Sequence, residues 1–198
     1  MIRRGVAACV AVVAVSACGT LHLPPAPPAT ATPSPLCGPA GDWTSDALAR
    51  AALPQDAVPS PFAPNGDEPA NPDQLQTFTP RPSGDVVAGF VAGFRRQWLA
   101  GEAGAGYVEM WAFSSEQAAG DWQTQLGEDT AAHGPTGTPS DAVPGGTEYT
   151  TQGPGGTGYG ILAERSRVVF EVALGGPGIT LSNVEDLART EYDRLCRS

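Results

Sequence analysis

The sequence predicts an α+β fold: an antiparallel sheet of about four strands with helices packed on it, preceded by a signal peptide and a Pro-rich stalk. Three observations predict it. Strand-like segments cluster late, at 147–151, 157–163 and 167–174, joined by short turns. A fourth, YVEMWAF at 107–113, stands between two helix-like segments. Helical apolar spacing brackets the whole set, which suits helices laid on a sheet rather than βαβ units.

The chain opens with Arg3 and Arg4, and Gly5 to Ala17 then carries no charge. A bilayer span needs about twenty apolar residues, so a basic start and a short apolar run ending in small residues read as an export signal over residues 1–17. Val15-Ser16-Ala17 also suits ordinary secretory cleavage. Val15-Ser16-Ala17-Cys18-Gly19 resembles the lipobox of bacterial lipoproteins. That resemblance implies that the Cys18 thiol carries acyl chains such as palmitate and holds the chain on the outer face of the cell membrane. Two acyl chains give a stable anchor where one is marginal. The alternative is plain secretion.

Cysteine arithmetic bears on the choice. Cys9 leaves with the signal; plain secretion would strand one of three remaining thiols, whereas acylation of Cys18 leaves the pair Cys37 and Cys196. In an oxidising compartment that pair can form a disulfide. Closing a loop of roughly 160 residues stabilises by at most about 5 kcal/mol in the chain-entropy model. Two buried free thiols are the other possibility. Residues 18–36 read as lipid anchor and linker: six of the eighteen residues from Gly19 to Leu36 are proline, which favours extended polyproline II geometry. The extracytoplasmic domain is expected over residues 37–198.

All eleven basic residues are arginine. Without Arg3 and Arg4, nine arginines face twenty-one acids, a formal charge of −12. Such a chain is repelled by phosphate backbones, which argues against nucleic acid as a partner.

Within the domain, Thr44 or Ser45 caps a short helix that runs through Leu48 and Ala52 and stops at Pro54. Eight prolines in 54–82 predict a long surface loop. Val87, Phe90, Val91, Phe94 and Trp98 recur at three- and four-residue spacing and predict a helix over Gly84–Ala100. The strand 107–113 puts Val108, Met110 and Ala112 on one face and Tyr107, Glu109, Trp111 and Phe113 on the other. Ser114 and Gln117 offer a capping box for a helix with Ala118, Ala119, Trp122 and Leu126 on one side. Residues 127–146 read as loop. After the three late strands, Ser182 with Glu185 starts a final helix whose core face is Val184, Leu187, Ala188, Tyr192 and Leu195.

The entry Leu53-Pro54-Gln55-Asp56-Ala57-Val58-Pro59, the segment Phe90–Trp98, the strand VEMWAF and the segment Ser114–Trp122 together resemble actinobacterial surface lipoproteins. These are in turn similar to the extracellular sensor-like domains of receptor Ser/Thr kinases. The likeness covers roughly residues 45–196 and implies an extracytoplasmic α+β domain with a groove. The chain departs from the kinase domains in having one possible disulfide where two are expected.

Several constellations carry little chemistry. Gly153-Pro154-Gly155-Gly156-Thr157-Gly158 matches a dinucleotide fingerprint in letters, but a strand and not a helix follows it. His133 near Ser140 and Asp141 lacks a rigid frame for a hydrolase triad. Asn65, Asp67, Glu68, Asn71 and Asp73 are oxygen ligands, though not at calcium-loop spacing. No cofactor and no metal are expected. The face Tyr107, Glu109, Trp111 and Phe113 remains as a candidate ligand site for an apolar or cationic molecule, with a two-sided core as the competing reading. The function predicted is a lipid-anchored, non-catalytic extracytoplasmic protein that binds or senses a small envelope ligand. The alternatives are a structural or protein-interaction lipoprotein and a secreted hydrolase.

Overall fold

A computed structural model describes residues 43–79, 88–102, 104–133, 136–153 and 155–195. The signal, Cys9, Cys18, His22, the proline-rich linker, Cys37 and Cys196 lie outside the described residues.

The elements in chain order are α1 (Ser45–Ala51), β1 (Ala63–Ala70), a 3-10 turn (Pro72–Gln74), α2 (Leu75–Phe78), β2 (Phe90–Leu99), β3 (Ala105–Phe113), α3 (Glu116–His133), β4 (Thr138–Pro139), β5 (Thr147–Gly153), β6 (Gly156–Arg165), β7 (Val168–Gly175) and α4 (Leu181–Arg194). Every strand pairing is antiparallel, in the order β1-β2-β3-β7-β6-β5-β4. The α+β class is as expected, but among the described residues the sheet has seven strands rather than about four.

The extra strands have separate causes. β2 replaces most of the helix expected over 84–100. A spacing of four, as between Phe94 and Trp98, satisfies both the 3.6-residue helical period and the two-residue strand period. The aromatic and β-branched content of FVAGFRRQWL favours the strand. β1 arises inside the expected loop 54–82. It is an edge strand with Pro64 and Pro69, almost wholly exposed, so it shows no apolar alternation. β4 is two residues long and falls within the expected loop 127–146, whose first part instead continues α3 to His133.

Helices cover both sheet faces. On one face, Phe94, Trp98, Val108, Met110, Phe170, Val172 and Leu174 pack against Leu48 of α1 and Val184, Leu187 and Ala188 of α4. The buried Trp98 indole donates to the Gln55 carbonyl at 2.8 Å. On the other face, Trp111, Phe113, Leu162 and Val169 pack under Trp122 and Ala119 of α3 and Phe78 of α2. Trp122 meets Trp111 and Phe113 at centroid distances of 6.0 and 6.1 Å.

Three caps fall elsewhere than expected or are refined. Thr44 caps α1. Ser115, not Ser114, accepts from the Ala118 N–H at the start of α3. Thr180 with Asn183, not Ser182 with Glu185, forms the capping box of α4. Thr44 is one of the two caps expected for α1, whereas at α3 and α4 the residue that folds its oxygen back over the first turn sits one or two positions from the expected one.

Candidate functional site

Antiparallel register sets a row of charged residues across four strands. Glu68 on β1 pairs with Arg95 on β2, Arg95 with Glu109 on β3, and Glu109 with Glu171 on β7. Residues opposite one another share a face, so three carboxylates and one guanidinium lie side by side on the α3 face of the sheet.

Arg95 is fully engaged. It donates to Glu109 Oε2 at 2.9 Å through Nε, to Glu68 Oε2 at 2.9 Å, and to the Phe78 carbonyl at 2.7 Å. Burial alone would lower its pKa, but Glu109 and Glu68 outweigh that and raise it. Glu109 is 5% exposed, and burial pushes its carboxyl up against the opposing pull of Arg95 and Thr79. Its second oxygen accepts from the Thr79 hydroxyl at 2.5 Å, and that hydroxyl accepts from the Trp111 indole at 2.8 Å. This network ties the end of α2 to β2 and β3.

Glu171 is different. Its partners are two phenols: Tyr107 donates to Oε1 at 2.7 Å, and Tyr149 donates to the same oxygen. Burial pushes the Glu171 carboxyl up to about 7, opposed by the Tyr107 bond and reinforced by Glu109. Tyr107 is in turn raised well above its ordinary value by burial and by Glu171. Tyr149 reaches Glu171 by lying across β6 at Gly160, where an added Cβ would fall inside the tyrosine ring. Only glycine permits that close approach.

Beyond this row the sheet face changes character. α3 covers the Phe113 end of β3 and not the Ala105 end. There the sheet floor is small: Ala105, Gly175 and Gly158 are in cross-strand register, and Ala173 lies two residues along β7 beside Gly160. The nearest atoms to an added Cβ on Gly175 would be those of the Gly158 and Thr157 backbone, the first at 3.3 Å. Three cavities adjoin along this strip. One of about 520 Å³ lies between α3 and β5, with Glu128 and Tyr149 in its walls. One of about 180 Å³ shares Tyr149 with it and adds Tyr107 and Ala173. One of about 370 Å³ continues past Thr151, Gly158 and Gly175 to Glu102 and Leu99. Leu99, at 42%, is the large apolar side chain most open to solvent there. Together they form a trough, with Tyr107 and Tyr149 over Glu171 at its head.

The four residues singled out from the sequence share a face, as expected, but the fold divides them. Trp111 and Phe113 are buried under α3, Glu109 is held in the ion pair, and Tyr107 alone reaches the trough. Sequence reasoning missed Glu171, Tyr149 and Arg95. An acid inside the apolar run VVFEVALG was the available signal, but its neighbours follow only from strand register.

The other constellations resolve into ordinary structure. The Ser140 hydroxyl accepts from the Ala142 N–H in a turn, and His133 is the last residue of α3 rather than part of a loop. The glycine-rich stretch 153–158 links β5 and β6, with Gly156 at φ 108°. Asp67 is paired with Arg96 and Glu68 with Arg95. Among the described residues, no three His, Cys, Asp or Glu side chains are grouped to hold a metal ion. Among them, no helix is long and apolar enough to cross a membrane.

No protein-family model matches the sequence, and no curated protein matches it. Among solved structures, the extracellular domain of PknH from Mycobacterium tuberculosis aligns with a TM-score of 0.61, over 80% of this chain and 99% of that one, at 13% identity. The two chains share a fold. Identity this low carries the fold and nothing finer.

Proposed function

We propose that this protein is a lipid-anchored, non-catalytic extracytoplasmic domain that takes a small ligand in the trough of its sheet. The observation that carries the reading is the half-covered sheet face: a floor of Ala and Gly, adjoining cavities, and a carboxylate capped by two tyrosines. A pocket with a few convergent polar groups is where ligands bind. The fold shared with the extracellular domain of PknH supports the extracytoplasmic part of this reading. The lipobox-like run ending at Cys18 supports the anchor, and the Cys37–Cys196 pair is proposed as a disulfide formed after export.

Two experiments test this. In a host that lipidates exported proteins, the full chain fractionates with membranes, and Cys18→Ala releases it to the soluble fraction. A variant that stays with the membranes contradicts the anchor. For the trough, native mass spectrometry of the full chain incubated with envelope extract is expected to show a retained small-molecule mass. Ala173→Leu, which fills the floor, is expected to remove it. Retention by a folded Ala173→Leu variant places the ligand elsewhere.

A further inference from the structure

We infer that the trough selects an organic ammonium ion, seated at its head against Tyr107 and Tyr149, whose hydroxyls cover the Glu171 carboxyl. This rests on the trough being a ligand site and names the chemistry of what fills it.

The row across the strands is short of positive charge. The cross-strand row holds Glu68, Glu109 and Glu171 against Arg95 alone, and Arg95 is already bonded to the first two. Glu171 is left with two phenols, both donating to one oxygen. A cation completes the row.

The walls are of one sign. The described side chains lining the three cavities include Glu128 at one end and Glu102 at the other, and none of them is basic. A carboxylate or phosphate ligand would meet only like charge. The shape fits as well. Tyrosine rings attract ammonium groups through their faces, and a carboxylate beneath adds the charge. The Ala and Gly floor admits the bulk of a substituted ammonium and an alkyl tail running toward Leu99, where larger side chains would not.

Binding should also be linked to protons. The groups facing Glu171 are Tyr107 and Glu109 on β3, Arg95 on β2 and Tyr149 on β5, with Glu128 of α3 on the adjoining wall. With the carboxyl pushed up to about 7 by burial, a bound cation favours its ionised form and expels its proton.

The test is calorimetric titration of the full chain with hexyltrimethylammonium, hexanol and hexanoate at pH 7.5. The ammonium ion is expected to bind at least about tenfold more tightly than either other probe, the direction set by its charge. Glu171→Gln, which keeps an acceptor for the phenols, is expected to reduce that preference to about twofold or less. Hexanol or hexanoate binding as tightly as the ammonium ion overturns the cation inference and leaves the trough standing. Failure of all three to bind overturns both. Should Glu171→Gln not fold, the wild-type chain decides alone. Its ammonium affinity is expected to rise about tenfold between pH 5.5 and 8 while hexanol affinity stays flat, and a flat ammonium curve overturns the inference.

Discussion

Glu191 shows how far a single residue can set the chemistry of the fold. It is fully buried on α4, and burial pushes its carboxyl up to about 8, against the pull of the Leu53 N–H and of Arg194 and Arg96. Oε2 accepts from the Leu53 N–H at 2.7 Å, fixing α4 to the exit of α1. An unfolded glutamate loses its proton near pH ~4.3; the folded one keeps it until about 8. The native state therefore binds the extra proton in that window, so stability is greatest below it and falls as pH rises through it. Thermal melts of Glu191→Gln should match wild type near pH 4 and exceed it at pH 8 by on the order of 5 kcal/mol. An equal loss at both pH values contradicts this account. Arg95 gives the opposite case. Arg95→Gln leaves Glu109 buried without its counter-charge, at a cost of about 3 kcal/mol near neutral pH. Part of that is recovered in acid, where Glu109 protonates; urea unfolding at pH 5 and pH 8 reads the difference. Neither Glu191 nor Glu171 stood out in the sequence, because an acid at one step of a helix or strand normally marks a solvated face.

At the scale of elements, legibility followed the exposure of each face. β7 was read within a residue or so because its outer half alternates between buried and half-buried positions, and β3, β5 and β6 from their β-branched and aromatic content and the turns that bound them. The faces of α3 and α4 were read from apolar residues at the helical period. β1 was invisible because it is an exposed edge carrying prolines, and β2 because spacings of four fit both periods. Gly93 is what a strand at that place requires: an added Cβ would lie 2.9 Å from the Phe78 ring and 3.1 Å from Ala70. Gly93→Ala is therefore expected to cost about 1–3 kcal/mol by displacing α2. A hydrogen-exchange increase over residues 75–79 checks the mechanism, and an unchanged exchange rate there contradicts it. Trp122→Ala removes the side chain that α3 sets between Trp111 and Phe113. A loss of about 3–5 kcal/mol is expected, with a folded, unperturbed variant showing that these aromatics are not a core.

For the molecule as a whole, the two helical faces differ in completeness. α1 and α4 close theirs, locked by Arg194, which donates to the Ala51 and Arg50 carbonyls at 2.7 and 3.0 Å. α3 covers only part of the other, and the uncovered remainder is the trough. Its position could not be read from sequence, because it depends on which end of β3 the helix covers. The aromatic face at 107–113 pointed to the right side of the sheet but to the half that α3 fills. The most direct measurement is an amide chemical-shift map of the full chain titrated with hexyltrimethylammonium. The account predicts shifts concentrated at Ala105, Thr151, Gly158, Ala173 and Gly175, with the β1 edge and the helices α1 and α4 unmoved. Shifts centred on β1, or spread over the α1–α4 face, would contradict it.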